Sequence, residues 1–155
     1  MADLSLYRPN VGVVLFREDG QVWYGRRAGA APPHNWQFPQ GGVDAGEALL
    51  DAAKRELFEE TGVTTVRLLD RTPDWLAYDF PPEVAHTKRG NWTGQKQIWF
   101  AFAFDGDDAE IDLGAGPHAE FDAWRWGGLA EAPGLVAPFK RATYEAVVQA
   151  FARFG

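Results

Sequence analysis

Three glutamates, Glu56, Glu59 and Glu60, fall within about one turn of a segment whose apolar spacing predicts a helix. At about 100° per residue, their side chains project from one side of that helix. Like charges at these spacings repel one another, so the cluster needs a neutralising partner. Arg55 and Lys54 supply part of it, but a hard divalent cation such as Mg²⁺, which takes carboxylate oxygens, is the better explanation. The alternative interpretation is a solvated acidic helix face.

The residues around the glutamates follow a longer regular spacing. Gly41 is followed after five residues by Glu47, and after seven more by the run 55–63, Arg-Glu-Leu-Phe-Glu-Glu-Thr-Gly-Val. This order resembles the Nudix box, G-x5-E-x7-R-E-U-x-E-E-x-G-U with U an aliphatic residue, at all nine specified positions. A pattern of that length is far more specific than a lone glycine motif. The spacing therefore favours a metal site over a solvated face.

The resemblance implies a loop–helix–loop that binds divalent metal ions and hydrolyses a phosphoanhydride bond. Glu56 and Glu60 match the family's metal ligands, and Glu59 matches a third ligand or the base. Arg55 matches the arginine that orients these carboxylates, and Glu47 matches its structural partner. Mg²⁺ is the expected cofactor, for which Mn²⁺ or another divalent cation would substitute. Such ions spread transition-state charge over phosphate oxygens and lower the pKa of a bound water.

The segments outside the box resemble one branch of the family, the bacterial RNA pyrophosphohydrolases and the similar asymmetric diadenosine tetraphosphate hydrolases. The matching segments are 7–12, 36–42, 94–100, 120–126 and 139–144. The resemblance makes Glu120 a further catalytic carboxylate, as a metal ligand or as the base. It assigns substrate contacts to a larger set: Arg8, Arg27, Gln40, Gly41, Gly42, Tyr78, Lys96, Phe139 and Lys140.

Different chemistry is expected of the members of this set. Arg8, Arg27 and Lys140 match cations that grip the phosphate chain, as guanidinium and ammonium groups do. Phe139 matches an aromatic that stacks on a base, and Tyr78 is a second candidate. Each has a purely structural alternative: a solvated cation for the charged residues, and a core position at the start of a helix for Phe139. Lys96 contacts phosphate or ribose, or else only begins a strand.

The apolar patterning predicts the elements that must position these residues. Strands are expected at 11–16 and 21–24 as a hairpin, at 37–40, 64–70, 75–80 and 121–126, and centrally at 98–104. One helix is expected from Gly46 to Thr61, with Asp44 at its start and Gly62 ending it, and a second at 139–154. Residues 83–94 are expected to form a surface loop. The predicted class is α/β, a single Nudix domain of residues 1–155 with a mixed sheet sandwiched between helices.

Composition limits the possible partners and location. A formal net charge of −7 argues against binding to double-stranded DNA or other long nucleic acid. The chain has no cysteine, which excludes thiolate catalysis, and its three histidines, His34, His86 and His118, lack metal-ligand spacing. No apolar segment approaches membrane-spanning length. A cytoplasmic monomer acting on a nucleotide is expected, without a membrane partner.

Several functions remain open on the residues. The leading hypothesis is hydrolysis of nucleoside 5′-polyphosphates, either a dinucleoside tetraphosphate such as diadenosine tetraphosphate, giving ATP and AMP, or a 5′-triphosphorylated RNA end. A second is a non-catalytic Nudix module that senses a nucleotide, although its box would usually be broken. A third is a pyrophosphatase acting on damaged nucleotides or nucleotide sugars, which the flanking segments disfavour.

Overall fold

The computed structural model describes residues 3–82 and 92–155. His86 and the predicted surface loop, as far as residue 91, lie outside the described residues. Eight strands form one sheet. They are β1 (Tyr7–Phe16), β2 (Val22–Arg27), β3 (Trp36–Gln37), β4 (Gln40–Gly42), β5 (Val66–Arg71), β6 (Leu76–Asp79), β7 (Gly94–Phe104) and β8 (Phe121–Gly127).

The sheet is mixed, with β1 and β7 at its centre. These two strands run parallel over ten residue pairs, from Tyr7 opposite Gly94 to Phe16 opposite Ala103. The strand order is β3-β2-β1-β7-β5, and β4, β6 and β8 pair with β1, β7 and β2 respectively, all antiparallel. Within residues 3–82 and 92–155 the α-helices with described bounds are α1 (Leu49–Thr61), α2 (Ala132–Leu135) and α3 (Arg141–Phe151). No helix within the described ranges is long and apolar enough to cross a membrane.

Both faces of the sheet are covered, because alternate residues of each strand point in opposite directions. One face packs against α1 through these buried residues: Val11, Val13, Leu15, Ile98, Phe100, Phe102, Ala52, Ala53 and Leu57. The other packs against α3 through a second set: Val14, Phe16, Trp99, Ala101, Tyr144, Val147 and Phe151. Full burial of side chains of this size contributes roughly 1.5–3 kcal/mol each. The predicted α/β class, with a mixed sheet between helices, is confirmed.

The predicted start of the first helix is wrong by three residues. The helix begins at Leu49 with Ala48 as its N-cap, and no side chain caps it, so Asp44 is not a cap. Gly46 has a φ of +76°, which a right-handed helix does not allow. The peptide N–H of Glu47 donates to the Asp44 carbonyl and closes a turn instead. The predicted end is correct, since Gly62 is left-handed with a φ of +78°.

Several other elements differ from their predicted bounds. β7 begins at Gly94 rather than at residue 98, and the single strand expected at 37–40 is two short strands, Trp36–Gln37 and Gln40–Gly42. β2, β5, β6 and β8 differ from prediction by one to three residues at one or both ends. β1 begins at Tyr7 rather than at residue 11, because pairing with β7 holds its polar first residues in the sheet. The C-terminal helix is α only over Arg141–Phe151, and 3-10 turns occupy Pro138–Lys140 before it and Ala152–Phe154 after it. Phe139 and Lys140 therefore lie on a tight turn that leads into α3.

Candidate active site

Arg55 is the hub of the acidic cluster on α1. Its guanidinium donates to both carboxylate oxygens of Glu47, at 2.8 and 2.9 Å, and to the Gly42 carbonyl at 2.9 Å. The same group donates to Glu56 Oε1 at 2.8 Å and to Glu59 Oε2 at 3.2 Å. Its hydrogen bonds to Glu47 hold the pKa of that carboxyl at about 2. Arg55 thus holds two of the predicted metal ligands and the preceding loop by hydrogen bonds.

Two glycines leave room for charged groups beside this hub. A Cβ at Gly41 would lie 2.0 Å from the carboxyl carbon of Glu56, so the carboxylate occupies the space that a side chain would fill. A Cβ at Gly42 would lie 2.5 Å from a terminal nitrogen of Arg8. The exposed guanidinium of Arg8 therefore lies on the loop, with Arg55 bound to the carbonyl of the same glycine. Side chains of the protein thus fill the space beside both glycines, and contact of these glycines with substrate stays a prediction.

Glu60 is the most buried of the glutamates, with 4% of its surface exposed. One of its carboxylate oxygens accepts a hydrogen bond from the peptide N–H of Gln40 at 3.1 Å. Burial raises the pKa of Glu60 well above its ordinary value, and the charges of Glu56 and Glu120 raise it further. The pKa of Glu56 is also raised, chiefly by burial. Bringing a cation to this cluster would stabilise the ionised form of both carboxylates.

Glu120 lies in the loop before β8, on the other side of the same site. Its side chain is exposed, and its carbonyl accepts a hydrogen bond from the peptide N–H of Ala28 at 3.0 Å. Its charge contributes to the raised pKa of both Glu56 and Glu60, which places its carboxylate within electrostatic range of the box. Carboxylates of the box and of the loop before β8 thus influence one another, although 60 residues separate Glu60 from Glu120 in the sequence.

The donor set is suited to a hard divalent cation, because it consists of carboxylate oxygens under mutual repulsion. Within residues 3–82 and 92–155, no three acidic or histidine side chains already converge on one point as metal ligands. The guanidinium of Arg55 lies between the carboxylates of Glu56 and Glu59 and holds them by separate hydrogen bonds.

An aromatic pair joins β6 to the tight turn that precedes α3. The rings of Tyr78 and Phe139 are 5.6 Å apart and tilted, and the Tyr78 hydroxyl donates to Gln95 Oε1. The ammonium of Lys140 is 5.7 Å from the Phe139 ring and donates to Gln37 Oε1 at 3.4 Å. Tyr78 is buried, whereas Phe139 is half-buried, so Phe139 offers more of its ring to a ligand. Stacking on a base remains a prediction for both.

The remaining predicted cations occupy different surroundings. Arg27 is exposed at the end of β2, and its charge opposes the effect of burial on the pKa of Tyr78, which is raised to about 12. Lys96 aligns with Pro9 of β1, but its ammonium lies 4.8 Å over the ring of Trp75. The structure thus brings Arg27 near the aromatic pair and gives Lys96 a cation–π partner within the protein.

Two sets of contacts near the site were not predicted from the sequence. Asn10 and Gln97 are buried and hydrogen-bonded to each other at 2.7 Å, and Gln97 also accepts from the Trp99 indole at 3.0 Å. Both residues directly precede the apolar runs at 11–16 and 98–104, and that position was the available signal for this network. The second set joins Gly116 to Glu59 and had no local signal, because it depends on distant parts of the chain.

The burial of Glu60 predicts a specific dependence of stability on pH. Below the ordinary glutamate pKa of 4.5, Glu60 is protonated in both the folded and the unfolded chain, so its burial as a charged group does not reduce the free energy of unfolding. Because its pKa is raised in the folded chain, stability falls as pH increases from about 4.5 through the folded pKa. Glu47 has the opposite effect on stability. Its pKa is lowered to about 2 in the folded chain, so its stabilising contribution is present above pH 4.5 and is lost as the pH falls toward 2.

Glu60→Gln should therefore be more stable than the wild type at pH 8 and similar to it at pH 4.5, when divalent cations are removed by a chelator. Thermal melts across this range test the expectation, with Asp51→Asn as a control that removes one exposed carboxylate from the same helix. Parallel curves for Glu60→Gln and wild type would contradict it. Adding Mg²⁺ should raise the Tm of the wild type more than that of the variant.

A cavity of about 1000 Å³ lies at the far end of the sheet, away from the carboxylates. Its lining includes Phe16, Arg17, Phe104 and Phe154, from the C-terminal ends of β1 and β7 and the end of the chain. The predicted site residues lie toward the other ends of these strands. This cavity has no part in the site described above.

Comparison with known proteins gives consistent matches. The NUDIX domain model matches residues 6–147. The chain is 65% identical over 154 residues to an RNA pyrophosphohydrolase of Caulobacter vibrioides (strain NA1000 / CB15N), covering 98% of this chain and 90% of that one. It is 46% identical over 155 residues to an RNA pyrophosphohydrolase of Rhizobium meliloti (strain 1021), covering 94% and 93%.

A solved structure shares the fold. The dihydroneopterin triphosphate pyrophosphohydrolase of E. coli superposes with a TM-score of 0.71 at 23% identity, over 92% of this chain and 97% of that one. Enzymes of this family generally require divalent cations, in agreement with the donor set on α1. The resemblance seen in the sequence is thus confirmed, and the chain belongs to the Nudix family.

Proposed function

We propose that this chain removes pyrophosphate from the 5′-triphosphate end of RNA. Water attacks phosphorus, the anhydride bond between the α- and β-phosphates breaks, and the products are a 5′-monophosphate end and pyrophosphate. The observation that carries the proposal is the carboxylate cluster of α1, held by Arg55 with the Arg8 guanidinium on the adjacent Gly42. The names of relatives that are 65% and 46% identical over nearly the whole chain support RNA as the substrate.

Glu56 and Glu60 would hold Mg²⁺, with Glu59 and Glu120 as further ligands or as the base, and Mn²⁺ or another divalent cation would substitute. When bound, the metal supplies charge neutralisation at phosphate oxygens and an activated water. Arg55 keeps the carboxylates of Glu56 and Glu59 oriented, while the Gln40 N–H holds that of Glu60. The protein thus supplies an arrangement of oxygens that is fixed before the substrate binds.

Cations around the carboxylates would bind the phosphate chain. Arg8 lies over Gly42 and is exposed, which supports a contact between its guanidinium and phosphate next to the proposed metal site. Arg27 and Lys140 flank the aromatic pair and would bind phosphate or ribose further along the substrate, and Lys96 is a fourth candidate. These cations offset the net charge of −7 only locally. The net charge still disfavours binding to a long duplex, so the proposed substrate is an RNA end.

The specificity constant decides between the two substrate classes. We would measure kcat/KM for a short 5′-triphosphate RNA and for diadenosine tetraphosphate on one preparation, with Glu56→Gln as the control for contaminating activity. RNA should be preferred. A bias of about a thousandfold toward the dinucleotide would contradict the proposal and make dinucleoside polyphosphate hydrolysis the function. Turnover of neither substrate would favour the nucleotide-sensing or nucleotide-sugar alternatives.

The half-buried ring of Phe139 predicts a distinct kinetic effect. Stacking of one base on an aromatic side chain is worth about 1–3 kcal/mol, so Phe139→Ala should raise KM by about tenfold and change kcat less. Steady-state kinetics on the RNA substrate measure both constants. Leu68→Ala is a suitable control, because it removes an apolar side chain that is 47% exposed on β5, away from the site. A fall in kcat with an unchanged KM would rule out uniform binding through this ring.

A further inference from the structure

The loop that precedes Glu120 is attached to the C-terminal end of α1. The Asp112 N–H donates to the Thr61 carbonyl at 2.7 Å. The Asp112 side chain accepts a hydrogen bond from the Gly114 N–H at 2.9 Å. The backbone carbonyl of Asp112 accepts one from the Ala115 N–H at 3.3 Å. This part of the loop is therefore a closed turn that is hydrogen-bonded to the last residue of the helix.

Gly116, directly after this turn, lies against the backbone of Glu59. A Cβ at this position would be 2.6 Å from the Glu59 carbonyl oxygen, 2.9 Å from its Cβ and 3.0 Å from its Cα. The φ of Gly116 is outside the left-handed region, so the backbone conformation does not require glycine. Space alone requires it. Gly114, two residues earlier, differs, since its Cβ would meet only Asp112 Oδ1 at an ordinary 3.5 Å.

Glu120 is also fixed on its other side. Its carbonyl accepts from the Ala28 N–H, and the next residue, Phe121, pairs with Arg27 in the sheet. Only residues 117–119 lie between the contact of Gly116 with α1 and the hydrogen bond of Glu120 to Ala28. A segment this short has little length with which to absorb a shift at either end.

We infer that Gly116 is a positioning residue for Glu120. Its contact with the Glu59 backbone sets how closely the loop approaches α1, and hence where the Glu120 carboxylate lies relative to Glu56 and Glu60. The inference rests on the proposed function, because that function gives Glu120 its catalytic role. A methyl group at position 116 displaces the loop from the helix and moves Glu120 out of place, whereas one at position 114 does not.

A double-mutant cycle tests this coupling. Gly116→Ala should lower kcat about tenfold with little change in KM, since small misplacements of catalytic groups cost rate. Gly114→Ala should match the wild type. In a chain that already carries Glu120→Gln, Gly116→Ala should have no further effect on kcat. Losses that multiply in the double variant, or a Glu120→Gln variant with wild-type kcat, would overturn the inference.

Two further measurements keep the inference testable if activity or folding fails. Mn²⁺ binding, followed by electron paramagnetic resonance, should be weakened by Gly116→Ala and by Glu120→Gln to a similar extent, and no more in the double variant. This readout needs no substrate, so it holds even if RNA is not hydrolysed. If Gly116→Ala does not fold, Ala119→Gly loosens the same segment without adding atoms. It should lower kcat in the wild-type background only, and equal losses in both backgrounds would overturn the inference.

Discussion

Glu56→Gln should lower kcat about a thousandfold while leaving Tm close to that of the wild type. Glutamine has the shape of glutamate, so it fits the space beside Gly41, and its carbonyl oxygen can still accept from Arg55. The change removes the negative charge that the metal site needs. A loss of about 4 kcal/mol in transition-state stabilisation corresponds to this factor. Single-turnover and steady-state rates at saturating Mg²⁺ provide the measurement.

Asp51→Asn is the matched control for this variant. It removes one exposed carboxylate from the first turn of the same helix, and kcat should remain at the wild-type level. The comparison separates a local metal-binding role from a general effect of helix charge. Unchanged Mg²⁺-dependent turnover in Glu56→Gln would show that Glu56 is not a metal ligand.

Gly41→Ala should lower kcat by about a hundredfold or more without unfolding the protein. The new methyl group would overlap the Glu56 carboxyl, within 2.0–2.4 Å of its carbon and oxygens. The end of a flexible side chain can rotate away at small cost in stability, but the carboxylate then leaves its position beside Arg55. A displacement of about 1 Å in a catalytic group costs on the order of a hundredfold in rate.

Gly134→Ala controls for the added methyl group itself. Apart from its chain neighbours and its own helix backbone, nothing lies within 4 Å of a Cβ at this position, which is in α2 and far along the chain from the box. Rates and thermal melts of the two variants should show a kinetic defect for Gly41→Ala alone. A large fall in Tm for Gly41→Ala, with kcat kept, would mean that the glycine serves the fold rather than the carboxylate.

Local spacing made the core of the site predictable. Glu56, Glu59 and Glu60 lie on one side of α1 because their spacing in the sequence matches the turn of a helix. Gly62 ends the helix because its own backbone is left-handed. The error at the start of α1 has an equally local cause. The spacing of apolar residues carries no information about the left-handed backbone of Gly46. Because of that backbone, the helix begins only at Leu49.

Contacts between distant segments could not be predicted from local patterns. The packing of Arg8 on Gly42 and of Gly116 on Glu59 depends on how β1 and the 112–120 loop meet the box, and no residue pattern reports such distances. Family resemblance placed Glu120 near the cluster without showing what holds it there. Its attachment to Ala28 becomes visible only once the sheet is assembled.

The parallel pairing of β1 with β7 has a kinetic consequence. Asn10 and Gln97, bonded across these strands, are 87 residues apart in sequence, and the whole box lies in the intervening chain. High contact order of this kind slows folding, because a long loop must close before the pairing stabilises it. Arg8 cannot be fixed in the sheet beside α1 until β7 has been synthesised. A nascent chain that ends before residue 94 should therefore be inactive, and refolding should restore turnover only with its slow, sheet-forming phase.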